Sequence, residues 1–459
     1  MIKSAVATAL VYWASLSPVA AGTLPEAIAL KPYLKPAPAP FSDCISFQEI
    51  PGKPGNYLVV QKNGALISYD PKTGKTAPWL KISVNTQYEE GVTNIAFHPD
   101  FAVNGRYFIL YNPVSNGALP GLNYGHPGKY TEILEEYAAD ANHEKDSGLP
   151  PKRVGEFCCK DGPGHNGQFT MFGKDRMLYV TIGDGNSDGR ETQGRQSFLG
   201  TILRIDVDHA DSGKHYAIPK DNPFYYDANP KVKKEIWSYG FRQPYKLTVD
   251  AKTGDLWVGN VGGWNEDHVS LIKRGANFGW PITEATQCFD NSRTMFDYTA
   301  PLAACDRTGI TPPTIPLPHS LPRGNVNTNC VMGPVIYRAN TASPLYGVVF
   351  YADHTAQRLY AARLDVNGKV IEQKDYGKTP FQIIHLLEAS DGRILVAGLA
   401  TSQFYYLDDP GLLMGPSGVR APPAGMARPR ADTRDHALYN VAGKRLIRLP
   451  NWSPSLPSL

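Results

Sequence analysis

The stretch GPGHNGQF, residues 162–169, holds one histidine among glycines, directly before an apolar run that ends in LYVTIGDG. An imidazole with an ordinary pKa of ~6.5 is the side chain best suited to take a proton near neutral pH. Loop histidines are often inert, but His165 precedes a predicted strand, where loops converge in the fold predicted below. Its glycine neighbours would let a flat substrate approach closely. We therefore interpret His165 as a candidate general base.

A second candidate lies in SYGFRQPYKL, where Arg242 and Gln243 precede Pro244 at a loop-to-strand junction. A guanidinium there would stabilise a developing oxyanion or bind a carboxylate. A surface salt bridge is the alternative interpretation of Arg242.

Backbone and carboxylate oxygens supply two further candidates. Gly262 and Gly263, in GNVGGWNEDH, expose carbonyl oxygens, which are suitable calcium ligands. Glu89 and Glu90 stand together before GVTNIAFHPDF. The alternative for the Gly262–Gly263 stretch is a plain wide turn. The alternative for Glu89 and Glu90 is a pair of solvated surface carboxylates.

The elements that must position these residues recur along the chain. An apolar run, a polar turn and an aromatic or β-branched strand repeat, with second strands predicted near Tyr107, Leu178, Leu256 and Ile394. The tetrads KTGD and SDGR indicate hairpin turns, because glycine supplies the positive φ that tight turns need. Units of roughly 70 residues from 44 to about 408 predict five or six antiparallel sheets, which indicates a β-propeller with a central funnel. Two sandwich domains, the alternative, would not explain the recurrence.

Composition supports an all-β fold and excludes one class of partner. The chain has 459 residues, with 43 glycines, 39 prolines and 25 tyrosines, which favours short strands and turns over long helices. Its 46 basic and 43 acidic side chains give a formal net charge of +3. Because no basic stripe is present, we expect no nucleic-acid partner.

The two ends of the chain differ from the repeated units. Residues 1–21 have the pattern of a signal peptide: Lys3, an apolar run and small residues at the expected cleavage position. An uncleaved anchor is the alternative, but the apolar run is far shorter than the ~20 residues that span a bilayer. We expect a proline-rich leader over the surface at 22–43, a propeller at 44–408 and an extension at 409–459. The mature protein would be secreted or periplasmic, with no transmembrane segment.

Cysteine usage fits an exported protein. The even number of cysteines, without a CxxC motif, predicts disulfides and not a metal site. Cys288 and Cys305 bracket a loop and form the best candidate pair. Cys158 and Cys159 are adjacent and would close on each other only with strain. Each could instead form a disulfide with another cysteine, for instance Cys44 or Cys330, and the sequence does not fix which.

Seven segments occur in the order found in the glucose/sorbosone dehydrogenase family, which the chain resembles from about residue 50 to 408. Any one of them would be a weak match, whereas seven in order are specific. The run from 164 to 281 carries the closest resemblance. The segments are EEGVTNIAFHPDFAVNGRYFILY, GHNGQFTMFGKDRMLYVTIGDG, LGTILRIDVD, YAIPKDNPF, IWSYGFRQPYKLTVDAKTGDLWVGNVG, LIKRGANFGWP and GPVIYRAN.

The resemblance implies a six-bladed β-propeller of four-stranded antiparallel sheets that holds pyrroloquinoline quinone (PQQ) and calcium at its funnel. It implies that His165 removes a hydroxyl proton while hydride passes from the anomeric or aldehyde carbon of a sugar to the quinone. Arg242 would stabilise the cofactor oxygen that gains charge, and Gln243 would contact the cofactor. The carbonyls of Gly262 and Gly263 would hold calcium. A carboxylate at Glu89 would contact the sugar, and an external quinone, cytochrome or dye would accept the electrons.

The chain departs from the family pattern on its last blades. Thr355 or a neighbour stands where a lysine is expected, and Gln382 and Ile384 stand where two arginines are expected. Losing three charge-assisted contacts at roughly 1.5 to 3 kcal/mol each would weaken quinone binding by more than a thousandfold. Arg338 is our candidate replacement in the cofactor site. Other cationic side chains that would compensate are Arg358, Lys378 and His385.

These observations lead to one principal hypothesis and two alternatives. The principal hypothesis is an exported PQQ-dependent sugar dehydrogenase. The first alternative is a non-catalytic propeller that serves as a binding module, similar to hedgehog-interacting proteins. The second, a calcium-dependent lactonase, lacks an acidic and asparagine ligand set in the sequence.

Overall fold

The computed structural model describes residues 23–39, 41–86, 89–114, 130–160, 164–165, 167–289, 301–319 and 329–412, without the side chains of 130, 158–160 and 168. Contacts divide the chain into two units, 1–418 and 419–459, and every described residue lies in the first. The predicted signal peptide and nearly all of the predicted extension therefore lie outside the described residues.

The described residues form six four-stranded antiparallel sheets and one two-stranded sheet. We call the four-stranded sheets blades 1 to 6. Strand β1 (Ala29–Pro32) comes before the first blade. Blade 1 consists of β2 (Cys44–Glu49), β3 (Tyr57–Gln61), β4 (Ala65–Asp70) and β5 (Lys75–Lys81). Blade 2 consists of β6 (Val92–Phe97), β7 (Arg106–Tyr111), β8 (Tyr130–Ala138) and β9 (Lys152–Lys160), with the one-turn helix α1 (Phe101–Asn104) between β6 and β7.

The remaining blades follow the same up-and-down order. Blade 3 consists of β10 (Gly167–Phe172), β11 (Leu178–Ile182), β12 (Thr201–Ile205) and β13 (Ile236–Tyr239), with helix α2 (Glu191–Gly194) before β12. Blade 4 consists of β14 (Gln243–Val249), β15 (Leu256–Val261), β16 (Glu266–Ile272) and β19 (Ile315–Pro318), with the two-stranded sheet β17 (Thr283–Glu284) and β18 (Gln287–Cys288) inserted. Blade 5 consists of β20 (Val331–Ile336), β21 (Val349–Asp353), β22 (Arg358–Leu364) and β23 (Val370–Lys378). Blade 6 contains β24 (Ile383–Glu388), β25 (Ile394–Gly398) and β26 (Tyr405–Asp408), followed by a 3₁₀ turn at Pro410–Leu412.

The innermost strands of the blades close a ring. Strand β2 contacts β6, which contacts β10, and the contacts continue through β14, β20 and β24 back to β2. The predicted six-bladed β-propeller of four-stranded antiparallel sheets is therefore confirmed. The predicted second strands are also confirmed, since β11, β15 and β25 begin at Leu178, Leu256 and Ile394.

The segment predicted to be a surface leader is part of the propeller. Strand β1 pairs antiparallel with β26, with Ala29 opposite Asp408, and so supplies the outer strand of blade 6. Tyr33 and Phe41 are buried in the adjoining core. We expected residues 22–43 to run over the surface as a leader, whereas the described part of this segment, 23–39 and 41–43, contributes an edge strand and core side chains.

The hydrophobic core is divided among the contacts between neighbouring blades. Each of the six clusters of buried residues joins two successive blades, from blades 1 and 2 to blades 6 and 1. In the cluster between blades 6 and 1, the Phe47 and Phe404 rings stack with centroids 4.2 Å apart, and Tyr57 meets Phe404 edge-on at 5.1 Å. Each blade thus buries both faces against its neighbours, as a sheet in a closed ring must.

The cysteines confirm one expectation and correct another. Cys288 and Cys305 form the predicted disulfide, with Cα atoms 5.6 Å apart. Cys44 and Cys330 are free thiols, so neither is the partner that we considered for Cys158 or Cys159. The side chains of the latter two lie outside the described residues.

Within the described ranges, none of the helices has the length and apolar character needed to cross a membrane.

The N-terminal segment offers a test of ring closure. Phe41 is 2% exposed and meets the Tyr69 ring at 5.1 Å, whereas Leu34, in the same segment, is 50% exposed. We expect Phe41→Ala to lower the free energy of unfolding by about 3 kcal/mol, because it leaves a cavity in the core. Leu34→Ala, the matched control, should change it by less than about 0.5 kcal/mol. Equal effects of the two substitutions in urea denaturation would contradict the role of this segment in the core.

Candidate active site

Chain geometry brings the predicted site residues to one end of the ring. Glu89, His165 and Arg242 each stand just before the innermost strand of a blade: β6, β10 and β14 respectively. In an antiparallel blade, the connection between the second and third strands returns to this same end. Asp184 and Gly262 lie in such connections, after β11 and β15. These loops therefore converge at the mouth of the central tunnel.

His165 is held by a buried carboxylate that the sequence analysis did not single out. Its Nδ1 lies 2.5 Å from Oδ1 of Asp184, and both side chains are buried. Oδ2 of Asp184 accepts a hydrogen bond from Nε1 of Trp280 at 2.9 Å. A carboxylate bound at Nδ1 fixes the tautomer and ring orientation, so that Nε2 is the nitrogen left to take a proton from a substrate.

The backbone at His165 is also constrained. Its φ is 45°, in the left-handed region that few non-glycine residues adopt. Gly185 donates its N–H to the carbonyl of His165 at 3.3 Å, and Glu89 accepts the N–H of His165 at 2.8 Å. Strained backbone that is held by several contacts is typical of functional loops.

Glu89 joins three blades at this point. Its Oε2 accepts both the N–H of His165 and the Nε2 amide of Gln243, the latter at 2.7 Å. The structure thus brings together Glu89, His165 and Gln243, which are separated by up to 154 positions in the sequence. Glu89 is exposed, as a surface carboxylate would be, but its carboxylate is also bound to two N–H groups of the site.

Arg242 lies against the same cluster and faces the Gly262 carbonyl. Its Nη1 donates to Gly262 O at 2.5 Å, and its guanidinium carbon is 5.8 Å from the centre of the Trp280 ring. Its own carbonyl accepts the N–H of Asp184 at 2.7 Å. Among the residues that the structure describes, Arg242 forms no salt bridge, and its guanidinium donates to a backbone oxygen at the site.

The loop that contains Gly262 and Gly263 is folded around a second carboxylate that the sequence analysis missed. Oε1 of the buried Glu284 accepts four backbone N–H groups, at 2.6 to 3.1 Å, and Oε2 accepts the Asn265 amide at 3.0 Å. The four N–H groups belong to Gly263, Trp264, Asn265 and Glu266. Convergent N–H dipoles hold an ionised carboxylate well, so Glu284 fixes the loop shape and the direction of its carbonyls.

A neighbouring acidic residue, Asp267, is also bound by groups of the protein itself. Asp267 accepts the N–H groups of Gly262 and Val331, each at 2.8 Å, and lies 2.9 Å from Nε2 of His319. Over the described ranges, no group of three or more histidine, cysteine, aspartate or glutamate side chains is arranged to hold a metal.

A cavity of about 320 Å³ opens beside Glu89 and Gln243. Its wall has an apolar part and a polar part, and it includes Ile384 and His354, the neighbour of Thr355. The lining residues are Ile45, Lys62, Glu89, Val92, Thr93, Gln243, Tyr245, Cys330, Met332, His354, Ile384 and Leu399. The apolar Ile384 thus occupies the cavity wall where the resemblance leads us to expect an arginine.

The structure does not bring Arg338 to this cavity. Its guanidinium forms two hydrogen bonds with Asp250, at 2.7 and 3.0 Å, and lines a separate cavity of about 750 Å³. Arg358 pairs with Asp375 at 2.7 Å, and Lys378 is exposed at the end of β23. Arg338 and Arg358 are therefore paired with carboxylates elsewhere, and Arg338 is not part of the cluster around His165.

Fold and contacts together define a class of protein: a six-bladed propeller with a carboxylate-oriented histidine at the mouth of its tunnel. The model of the Glucose / Sorbosone dehydrogenase family matches residues 44–403, and the chain belongs to that family.

Relatives of known sequence and structure agree with this assignment. The HIPL2 protein of Arabidopsis thaliana is 28% identical over 340 residues, which cover 66% of this chain and 47% of that protein. Aldose sugar dehydrogenase YliI of Escherichia coli (strain K12) is 25% identical over 226 residues, 49% of this chain and 55% of that protein. The matched part of the chain thus spans about half the length of these relatives. The PQQ-bound aldose sugar dehydrogenase of Streptomyces coelicolor shares the fold, with a TM-score of 0.60, 19% identity and coverage of 84% of this chain and 99% of that chain.

A buried acid beside the site gives a pH-dependent prediction for stability. Burial, and then the charge of Asp267, raise the pKa of Asp353 to about 6, and its Oδ2 has no hydrogen-bond partner among the described residues. An acid with a raised pKa binds its proton more tightly in the folded state, so stability falls as pH rises from about 4 to about 6. We expect Asp353→Asn to raise the free energy of unfolding by about 2 kcal/mol at about pH 7.5, a gain that shrinks as pH approaches about 4.

Urea denaturation across this pH range measures the effect. Asp188→Asn, on the exposed surface, is the control and should change stability by less than about 0.5 kcal/mol. An Asp353→Asn protein with the same stability and the same pH slope as the wild type would show that Asp353 is not the acid responsible.

Proposed function

We propose that this protein is an exported, PQQ-dependent dehydrogenase that oxidises an aldose or sorbosone-like sugar at its anomeric or aldehyde carbon. The observation that carries the proposal is the 2.5 Å contact between Nδ1 of His165 and Asp184, next to a cavity large enough for a small planar ligand. Family membership supports it, as does the PQQ in the Streptomyces coelicolor relative.

The residues of the cavity fit a flat ring with polar edges. Tyr245, Met332 and Ile384 give apolar surface on which a ring can lie, and Lys62 and the Gln243 amide give donors for carboxylate and carbonyl oxygens. Arg242 brings a permanent positive charge to the side of His165. When bound there, PQQ would supply a two-electron acceptor for hydride.

In this proposal each residue of the cluster has one task. His165 takes the hydroxyl proton of the sugar at Nε2 as the carbon–hydrogen bond breaks and the carbonyl forms. Asp184 stabilises the positively charged imidazole that results, as a buried carboxylate does for other catalytic histidines. Glu89 holds the His165 loop and accepts a hydrogen bond from a sugar hydroxyl. Arg242 stabilises negative charge that develops on a bound carbonyl oxygen.

Calcium fits this arrangement less well than the quinone does. The Gly262 oxygen already accepts a hydrogen bond from the Arg242 cation at 2.5 Å, and the acidic side chains nearby are bound to N–H groups. A metal cation at the same oxygen would be repelled by the guanidinium charge, so we assign no catalytic step to calcium. In this proposal Gly262 and Gly263 act by positioning Arg242.

Export and an external electron acceptor complete the proposal. A disulfide between Cys288 and Cys305 is typical of an oxidising compartment, which supports a secreted or periplasmic location. A quinone, a cytochrome or a dye would then reoxidise the cofactor.

A second candidate function is a binding module that has kept the scaffold without the chemistry. The apolar cavity wall at Ile384 and Leu399 favours it, because a tricarboxylate would find one lysine among the lining residues. Failure to bind PQQ in spectroscopic titration, together with absence of dehydrogenase activity, would select this candidate.

Reconstitution with PQQ tests the enzyme. We expect dye-linked oxidation of at least one sugar in an aldose panel after addition of PQQ to the purified protein. Asp184→Asn and His165→Gln should each lower kcat by ~10²- to 10⁴-fold, because general base catalysis needs the oriented, neutral imidazole. Both variants should still bind PQQ, as measured by quenching of protein fluorescence.

A control separates the dyad from histidines in general. His209 is largely exposed and pairs with the local Asp206, so His209→Gln should leave kcat unchanged. A His165→Gln protein that retains wild-type kcat would refute the assigned base.

A further inference from the structure

A buried lysine crosses the central tunnel just behind the wall of the candidate cofactor cavity. Lys246 belongs to β14 of blade 4, is 2% exposed, and donates its Nζ hydrogen to the Ile45 carbonyl in β2 of blade 1 at 2.8 Å. Blades 1 and 4 face each other across the ring of six. The amine therefore bridges opposite walls of the tunnel.

Two aromatic rings lie beside the amine. Its Nζ lies 5.0 Å from the centre of the Phe169 ring and 4.9 Å from that of Tyr245. His385, from blade 6, stacks on Phe169 at 5.8 Å. This packing excludes water from Lys246 and leaves its charge, when present, to be balanced by protein or ligand groups.

The cavity wall is in direct contact with Lys246. Ile45, which accepts its hydrogen bond, and Tyr245, which lies against it, are both lining residues. Cys330 and His354 also line the cavity and are within electrostatic range of the amine. A ligand in the cavity would thus be separated from Lys246 by a single layer of protein.

The titratable groups that face Lys246 are neutral near pH 7. Burial raises the pKa of Cys44 to about 12 and that of Cys330 well above its usual value, and burial lowers the pKa of His354 and, much further, that of His385. In the described part of the chain, Lys246 forms no salt bridge, and burial lowers its own pKa to about 7. An ammonium here is costly unless an anion approaches.

The geometry points to Lys246 as the counter-charge for a carboxylate of a cofactor bound in the cavity, with its amine taking up a proton as the anion binds and releasing it as the anion leaves. This inference rests on the proposed function, because it needs an anionic cofactor at this place. The contacts of the wall support it, because Ile45 and Tyr245 touch both Lys246 and the cavity, so little protein separates the amine from a bound carboxylate.

Two quantities follow for the wild-type protein. At about pH 8, where most of the free protein has a neutral Lys246, binding of PQQ should take up close to one proton, and the Kd should rise about tenfold per pH unit above 7. In Lys246→Met the proton uptake should disappear and the Kd should no longer depend on pH between about 7 and 9. At about pH 7 the variant should bind PQQ at least tenfold more weakly.

Titration calorimetry of the full-length protein with PQQ, in buffers of low and high ionisation enthalpy, measures the proton count and the Kd together. Lys252→Met is the matched control, because Lys252 lies in the separate cavity that Arg338 lines. It should bind PQQ with wild-type affinity and proton uptake. The wild-type proton count needs no variant, so the test stands even where Lys246→Met lowers the melting temperature.

The outcomes separate this inference from the proposed function. Wild-type protein that binds PQQ and oxidises sugar, yet takes up less than about 0.2 proton at about pH 8, would overturn the role of Lys246 and leave the enzyme proposal intact. Unchanged proton uptake in Lys246→Met would do the same and would point to another group. Wild-type protein that neither binds PQQ nor oxidises sugar would overturn both.

Discussion

Antiparallel pairing of β1 with β26 holds the beginning and the end of the propeller in one blade, and so helps to close the ring around the tunnel. A propeller has no single core that would keep its blades at fixed angles, since its apolar contacts lie between successive blades. The hydrogen bonds of Glu89, which join blades 2, 3 and 4, keep their length only if those angles are fixed. Catalytic geometry tolerates displacements of roughly 0.5 Å. Closure of the ring is therefore a condition for the site as well as for stability.

Sequence could predict the parts of this structure that local rules determine. Hairpin strands beginning at Leu178, Leu256 and Ile394 follow from alternating apolar residues around glycine turns, and Gly254 and Gly392 do have φ of 84°. The hairpin of blade 5 was harder to recognise from the sequence. The connection between β20 and β21 is longer and contains no glycine turn of the kind seen in KTGD or SDGR. Strand β1 was missed because its four residues, ALKP, sit among prolines, and its partner lies more than 370 positions away.

In the candidate site, too, some residues could be identified from local sequence and others could not. His165, Arg242 and Gln243 were identified from residue types and motif order, and the structure places them together. Asp184, in the segment IGDG, and Glu284, in the segment ITEA, were not identified from the sequence. The role of each carboxylate depends on the residues that surround it after folding, and most of these are distant in the sequence. Arg338 was expected at the cofactor for the opposite reason: its charge was visible in the sequence, but Asp250, which neutralises it, becomes a neighbour only through packing of blades 4 and 5.

Two thiols and one disulfide impose an order on how such a chain matures. Cys44 begins the innermost strand of blade 1 and becomes buried only when blade 6 packs against it, whereas Cys330, just before the innermost strand of blade 5, stays half-buried. Until blade 6 packs, each is a competitor for Cys288 and Cys305, whose separation of 17 positions makes their own cross-link the least demanding loop to close. In an oxidising compartment, early formation of that short cross-link would remove Cys288 and Cys305 as partners for Cys44 and Cys330, and the finished ring then buries Cys44.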